Sequence, residues 1–280
     1  MIQLDIKKII RSQKNKTVAN MPGFVINLIR WWVKEKELNE LLRKTSHLQD
    51  FDFVEAINKE MNLTFEVIGL ENIPKQTNLI FVGNHALGGL DFFALIHAMK
   101  LAGFSRVNHP ANEVLMAVKP LSGILVPINV FGKITEKDRQ LLEERLSDNS
   151  VPVTMFPSGE VMRKYNGKPD DGLWRSGFVR YARKYQKDVV PFYIPTENSK
   201  TFYRIASWRR KLGVKANIEL FWLSRELLKK RHQTIKIIFG KPIPWQTFDD
   251  SKSRHEWAAE VKKMAYKLSN VEPFKFKIIL

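Results

Sequence analysis

Cysteine is absent from this chain of 280 residues. A disulfide scaffold, a thiol nucleophile and a zinc–thiolate centre are thereby excluded. Acidic residues are scarce beside basic ones: 29 Asp and Glu stand against 46 Lys and Arg, a formal net charge of +17. A surplus of that size concentrates polyanions at the surface, whether nucleic acid, anionic lipid headgroups or acidic small substrates. Long apolar runs are also missing. None reaches the roughly 18 to 20 residues that span a bilayer as a helix. No small-residue cleavage site follows a hydrophobic run in the opening MIQLDIKKIIRSQKNK, so no secretory signal is expected. Neither internal repeats nor low-complexity tracts occur. His85, His97 and His109 do not follow a metal-ligand spacing, and no metal cofactor is expected. With 44% hydrophobic and 27% charged residues, the chain has ordinary globular composition.

The hydrophobic pattern predicts a largely helical start over residues 1–60, with helices near 34–42 and 52–59. The character changes after Leu63. Residues 65–70 (FEVIGL) and 78–83 (NLIFVG) read as strands, the second an unbroken apolar run suited to a buried sheet. Residues 91–101 have helical length and composition. Strands are expected near 124–131, 151–156, 189–194, 218–223 and 234–239, and a helix over 176–185. Thr135 is placed to cap a helix running to about Leu146, and the pair Ser253 and Glu256 forms a capping box for a last helix. Strands alternating with helices predict an α/β fold: a mixed, largely parallel sheet flanked by helices.

Residues 21–33 (MPGFVINLIRWWV) form the most apolar early segment. On a helical projection Asn27, Arg30 and Lys34 share one face, and Phe24, Val25, Ile26, Leu28, Ile29, Trp31, Trp32 and Val33 cover the rest. Paired tryptophans beside basic residues suit the headgroup boundary, so Phe24, Ile29, Arg30, Trp31 and Trp32 are candidate membrane contacts. The alternative is a buried core helix. Residues 200–236 hold 11 Lys or Arg against two acids, Glu219 and Glu226. That stretch suits an anionic membrane or an acidic protein partner, or is simply a solvated face.

Chemistry concentrates in residues 83–93 (GNHALGGLDFF). His85 follows a buried strand, where α/β proteins build their sites, and Asp91 opens the next helix. A carboxylate there can fix one imidazole tautomer and leave the other nitrogen free to take a proton from a hydroxyl. Asp91 could equally do no more than cap its helix. In residues 153–163 (VTMFPSGEVMR), a strand ends at Phe156-Pro157 and a Ser158-Gly159-Glu160 turn follows. Such a turn can aim backbone amides at an oxyanion or phosphate, with Arg163 and Lys164 adding charge. A plain strand-to-loop turn is the simpler reading. His97, on an apolar helix, reads as a packed side chain.

Taken in order, these segments resemble the glycerolipid acyltransferase superfamily of the lysophosphatidic acid acyltransferase type. Asn84-His85 with Asp91 resembles its first block, residues 123–129 (GILVPIN) its second, Phe156-Pro157-Ser158-Gly159 its third and Val190-Pro191 its fourth. Trp174-Arg175-Ser176-Gly177 resembles the aromatic–basic–x–Gly step before a helix. The likeness spans about residues 63–245 and rests on the ordered agreement of several short motifs. It departs in three places. Five residues, Ala86 to Leu90, separate His85 from Asp91 where the family usually has four. Asn129 stands in place of an arginine, and Ser158 in place of a glutamate. HALGGLD, Phe202-Tyr203-Arg204 and Gly240-Lys241-Pro242-Ile243 resemble the bacterial hemolysin-like branch, which includes O-acyltransferases of amino-acid lipids.

The resemblance implies a helical, membrane-associating segment over 1–60 and an acyltransferase α/β domain over 61–280. It implies His85 as general base, Asp91 as its orienting partner, and substrate contacts from Asn84, Asn129, Phe156, Pro157, Ser158, Gly159, Glu160 and Arg163. Backbone amides near Gly159 or after His85 are expected to hold the oxyanion. The donor is acyl carrier protein or coenzyme A thioester, and the acceptor is a lipid hydroxyl. Asn129 and Ser158 favour an N-acylated amino acid of the lyso-ornithine or lyso-glycine type over a phosphate-bearing acceptor, because an arginine fork suited to phosphate is lost. The expected location is the cytoplasmic face of a bacterial inner membrane, peripheral or monotopic. Three rivals remain: a lysophosphatidic acid acyltransferase, a degenerate acyltransferase fold serving as a membrane-bound partner, and a non-catalytic nucleic-acid-binding protein. The last would stack bases on Phe202, Tyr203 and Trp208 between Arg204, Arg209 and Arg210, though no nucleic-acid-binding motif accompanies them.

Overall fold

The computed structural model describes residues 3–12, 16–128, 135–165, 167–213 and 218–270. The helices are α1 Ile6–Arg11, α2 Lys16–Ala19, α3 Gly23–Val33, α4 Glu35–Thr45, α5 Asp50–Glu60, α6 Gly89–Leu101, α7 Glu136–Ser147, α8 Gly177–Tyr185, α9 Lys200–Lys211, α10 Leu223–Lys229 and α11 Arg254–Lys267. The strands are β1 Thr64–Ile68, β2 Leu79–Gly83, β3 His109–Asn112, β4 Leu125–Ile128, β5 Val153–Met155, β6 Arg163–Tyr165, β7 Lys168–Asp170, β8 Asp188–Tyr193 and β9 Thr234–Phe239. The central sheet has five strands in the order β1-β9-β8-β2-β5. It is parallel except between β8 and β9, so the mixed, largely parallel α/β fold is what forms. A parallel β3–β4 pair and an antiparallel β6–β7 pair lie outside it.

Alternation along β2 shows how the layers close. Leu79 and Phe81 point into one core with Phe192, Ile237, α5 and α6. Ile80 and Val82 point into the other with Val153, Val189 and residues of α7, α8 and α11. Successive side chains of a strand face opposite ways, so an unbroken apolar run fits only a strand covered on both faces. Helix α6 is apolar around most of its circumference, and its residues from Leu90 to Ile96 are all buried. The expected capping box of Ser253 with Glu256 is present on α11, and the expected cap Thr135 forms one as well, with Asp138 on α7.

Two strand expectations change. Residues 218–223 are not a strand. A 3₁₀ turn covers Ile218–Trp222 and α10 follows. Glu219 is fully buried there and takes Arg163 at 3.0 Å and Arg209 at 2.8 Å, while Trp222 meets Trp32 edge-on at 6.2 Å. A short apolar run cannot by itself separate a strand from a buried turn. The strand expected over 124–131 is described only as β4, beside β3 and apart from the main sheet.

The described residues of the first 60 are mostly helical, as expected. Phe51, Phe53, Val54 and Ile57 of α5 belong to the same core as α6 and the sheet, whereas Ile10, Ile26, Ile29 and Val33 form a small cluster of their own. Ile29 is thus a packing residue rather than a surface contact, which corrects its place among the candidate membrane residues. Phe24, Leu28 and Trp31 are exposed, Arg30 pairs with Glu35, and Trp32 is half-buried. No described helix is long and apolar enough to cross a membrane. The basic stretch is not one solvated face. Arg209 is held by Glu219, Lys229 by Glu226, Lys236 by Glu66, and Arg225 by the carbonyls of Trp31 and Trp32. Phe202 and Tyr203 are buried, so of the three aromatics there only Trp208 offers an open face.

Candidate active site

Parallel pairing of β2 with β5 puts their C-terminal ends side by side. His85 leaves one and Phe156 the other, and the two rings stack at 4.2 Å with 12° between planes. The site therefore lies beyond the carboxyl ends of parallel strands. His85 Nδ1 is 2.9 Å from Asp91 Oδ2. The same oxygen accepts the backbone N–H of Leu87 at 2.8 Å and of Gly88 at 3.1 Å. The carboxylate is fully buried, while the imidazole keeps 19% of its side-chain surface open. An ionised carboxylate can only accept, so Nδ1 carries the proton and Nε2 is left as a free base.

Asp91 thus does both things the sequence allowed: it caps α6 at its third position and it orients the histidine. The extra spacer residue is absorbed by Gly88, whose φ of +89° only glycine adopts without strain. The backbone folds over the carboxylate and the dyad closes despite five intervening residues.

Several residues expected at the substrate are spent inside the protein. Asn84 is fully buried and bridges to β8: its amide donates to Ile194 O at 3.0 Å and its carbonyl accepts Ile194 N–H at 2.7 Å. Arg163 is buried against Glu219 and donates to the carbonyls of Val161 and Met162. Ser158 is buried, and its hydroxyl donates to Glu160 O at 2.8 Å, closing the turn. These three are structural, a correction that follows from the cost of burying a polar group without a partner. Pro157 is buried, its carbonyl accepting Arg175 N–H at 3.0 Å. Phe156 is half-buried, and Gly159 and Glu160 are exposed at the rim. Asn129 lies outside the described residues. The expected oxyanion amides are also committed: Gly159 N–H to Phe156 O at 3.0 Å, and those of Leu87 and Gly88 to Asp91. His97 is packed, stacked on Phe65 at 4.5 Å and bonded to Glu55 at 3.0 Å.

Sequence reasoning missed Asp171. Its Oδ2 accepts the backbone N–H of His85 at 3.3 Å and Trp174 Nε1–H at 2.9 Å, and its Oδ1 accepts the Tyr266 hydroxyl at 2.7 Å. Lys262 sits 3.5 Å away. One buried carboxylate thereby ties the histidine loop to the segment before α8 and to α11. Burial pushes the Asp171 carboxyl up, against the pull of Tyr266 and Lys262, and burial beside Asp171 pushes the Tyr266 phenol up as well. No local signal marks its tie to the histidine loop, because His85 and Tyr266 lie 86 and 95 residues away. His109 was also overlooked as a neighbour. It is buried edge-on to Phe156 at 5.3 Å and shares a hydrogen bond of 2.8 Å with Thr154 Oγ1. Burial, aided by His85, pushes its pKa down to about 3.

Two outcomes follow from these contacts. Asp171→Asn is expected to lower kcat about ten- to a hundredfold through misplacement of His85, with KM near wild type. Steady-state kinetics check this, and a raised KM with kcat intact would count against it. For His109, the unfolded chain binds a proton below pH 6.5 that the native ring refuses until about pH 3. Stability is therefore lost as pH falls through that window, by up to about 1.4 kcal/mol per pH unit. Urea unfolding midpoints near neutrality and in mild acid should show a shallower loss in His109→Gln than in wild type.

The family model described as Acyltransferase matches residues 9–272. A lyso-glycine lipid O-acyltransferase of Bacteroides thetaiotaomicron is 36% identical over 265 residues, 95% of this chain and 97% of that protein. Another of Phocaeicola vulgatus is 36% identical over 266 residues, 95% of each chain. The crystal structure of a 1-acyl-sn-glycerophosphate acyltransferase, PlsC, from Thermotoga maritima is a more distant likeness. It is 16% identical with a TM-score of 0.45, over 88% of this chain and 97% of that one. The chain belongs to the acyltransferase family and is an enzyme that transfers acyl groups.

Proposed function

We propose that this enzyme moves a fatty acyl group from acyl carrier protein or coenzyme A onto the hydroxyl of a lyso-lipid, an N-acylated amino acid of the lyso-glycine type. The observation that carries the reading is the 2.9 Å contact between His85 Nδ1 and Asp91, which leaves Nε2 uncommitted on an imidazole with 19% of its side-chain surface exposed. Nε2 takes the hydroxyl proton as the oxygen attacks the thioester carbonyl. The tetrahedral intermediate collapses, the C–S bond breaks, and the imidazolium returns its proton to the thiolate. An ester and a free thiol result, and no covalent acyl-enzyme is needed. The acceptor class is supported by the two relatives whose names specify a lyso-glycine lipid. It is also supported by Asn129 and Ser158, which stand where the superfamily usually carries an arginine and a glutamate. A phosphate-bearing glycerolipid is the second reading, favoured by the net charge of +17.

We place the enzyme peripherally on the cytoplasmic face of the inner membrane. Supporting this, α3 exposes Phe24, Leu28 and Trp31 together, and the Arg225 guanidinium stacks over Trp31 at 4.3 Å. An apolar face edged by cations suits an anionic headgroup layer.

Lipid extracts from cells expressing the chain, compared with a His85→Ala control by mass spectrometry, test the chemistry. A diacylated amino-acid lipid is expected only with the histidine, and purified His85→Ala should lose about 10²- to 10⁴-fold in turnover. Near-normal turnover in that variant would remove the mechanism. Sedimentation with vesicles tests the location: binding should rise with anionic lipid and fall in Trp31→Ser. Equal binding to neutral vesicles speaks against the electrostatic part.

A further inference from the structure

Arg175 stands out among the cations near the groove. Arg163 and Arg209 are locked on Glu219, Arg210 donates to Lys164 O and lies over Tyr165, and Lys262 is held by Asp170 and Asp171. Arg175 is exposed, and among the described residues its guanidinium has no hydrogen-bond or ion-pair partner. Glu160, the exposed carboxylate beside Gly159, makes no ion pair with it.

Its position is nonetheless held. The Arg175 backbone N–H donates to Pro157 O at 3.0 Å. The guanidinium lies on Gly159, where an added Cβ would sit 3.2 Å from Arg175 Cζ. Gly159 in turn closes a turn onto Phe156 through its N–H at 3.0 Å, and Phe156 stacks on His85. The ends of such a turn lie within about 7 Å of one another. A short path therefore runs from the free imidazole nitrogen, past Phe156, to an unengaged planar cation at the rim. A guanidinium fork binds a carboxylate through two parallel N–H···O bonds.

We propose that Arg175 binds the carboxylate of the acceptor, holding the headgroup of an N-(3-hydroxyacyl) amino acid over Gly159 while its chain hydroxyl reaches His85. This rests on the acceptor reading above and assigns that headgroup a residue. In an N-(3-hydroxyacyl)glycine, carboxyl carbon and hydroxyl oxygen are separated by six bonds, an extended reach of about 7 Å. The hydroxyl end has to reach Nε2 past the Phe156 ring stacked on the imidazole, with the carboxylate end at the Gly159 rim. The absence of a Cβ at Gly159 is what lets the guanidinium lie against the turn, with its outer edge exposed at the rim.

The test uses purified full-length enzyme, an acyl thioester, and two acceptors in mixed micelles: N-(3-hydroxyacyl)glycine and its methyl ester. Wild type should prefer the acid. In Arg175→Ala the acid-to-ester ratio of kcat/KM should fall about ten- to a hundredfold, the worth of a hydrogen-bonded charge contact, mainly through the KM for the acid. Arg175→Lys should recover part of the preference, because it keeps the charge and loses the fork. Thermal melting of each variant guards against loss of the fold. An unchanged ratio in Arg175→Ala, or an equal loss on both acceptors, overturns the inference while leaving the acceptor reading intact. Wild-type enzyme that acylates lysophosphatidic acid and neither glycine acceptor overturns both.

Discussion

One oxygen, Asp91 Oδ2, gathers three donors: the imidazole of His85 and the backbone amides of Leu87 and Gly88. The rest of the groove is arranged around that convergence. The two amides donate to the carboxylate, which is fully buried with hydrogen-bond donors rather than a lysine or arginine against it. The imidazole completes the shell and is held by it. A group that caps a helix and orients a base with the same atom couples fold to chemistry, because the loop that satisfies the helix end also sets the histidine's angle.

Around this centre, the polar residues of the sequence blocks divide by what they touch. Asn84 zips the end of β2 to the end of β8, Ser158 closes its own turn, and Arg163 joins Arg209 on a buried Glu219. These contacts keep the strand ends in register and place the Phe156 ring against the imidazole. Asp171 does the same from below, gripping the His85 backbone and reaching α11 through Tyr266. Among the described residues of these blocks, His85 and Phe156 stay partly open, and Gly159, Glu160 and Arg175 are exposed at the rim. A short list is consistent with an acceptor bound mostly by its apolar chain and recognised at one charged end.

The position of the N-terminal helices fits such an acceptor. The cluster of Ile10, Ile26, Ile29 and Val33 turns α3 so that Phe24, Leu28 and Trp31 face outward, and α3 packs on the segment carrying Trp222 and Arg225. Leu223, at the start of α10, approaches Gly88 of the histidine loop. A continuous run of contacts therefore joins the exposed apolar helix to the histidine loop.

Much of this was legible in the sequence, and the division is physical. The apolar run of β2, the amphipathic helices and the capping boxes at Thr135 and Ser253 depend on neighbours a few residues away, and such signals survive in a linear reading. His85 and Asp91 were visible for the same reason: they flank one short glycine-containing loop. Tertiary structure alone decided which polar groups are spent. Asn84 meets Ile194 across 110 residues, Arg163 meets Glu219 across 56, and His85 meets Asp171 across 86. A buried polar atom must find its partner wherever the fold brings one. No local pattern could show that Arg163 is consumed, that residues 218–222 turn inward as a 3₁₀ segment, or that Arg175 is left open beside the groove.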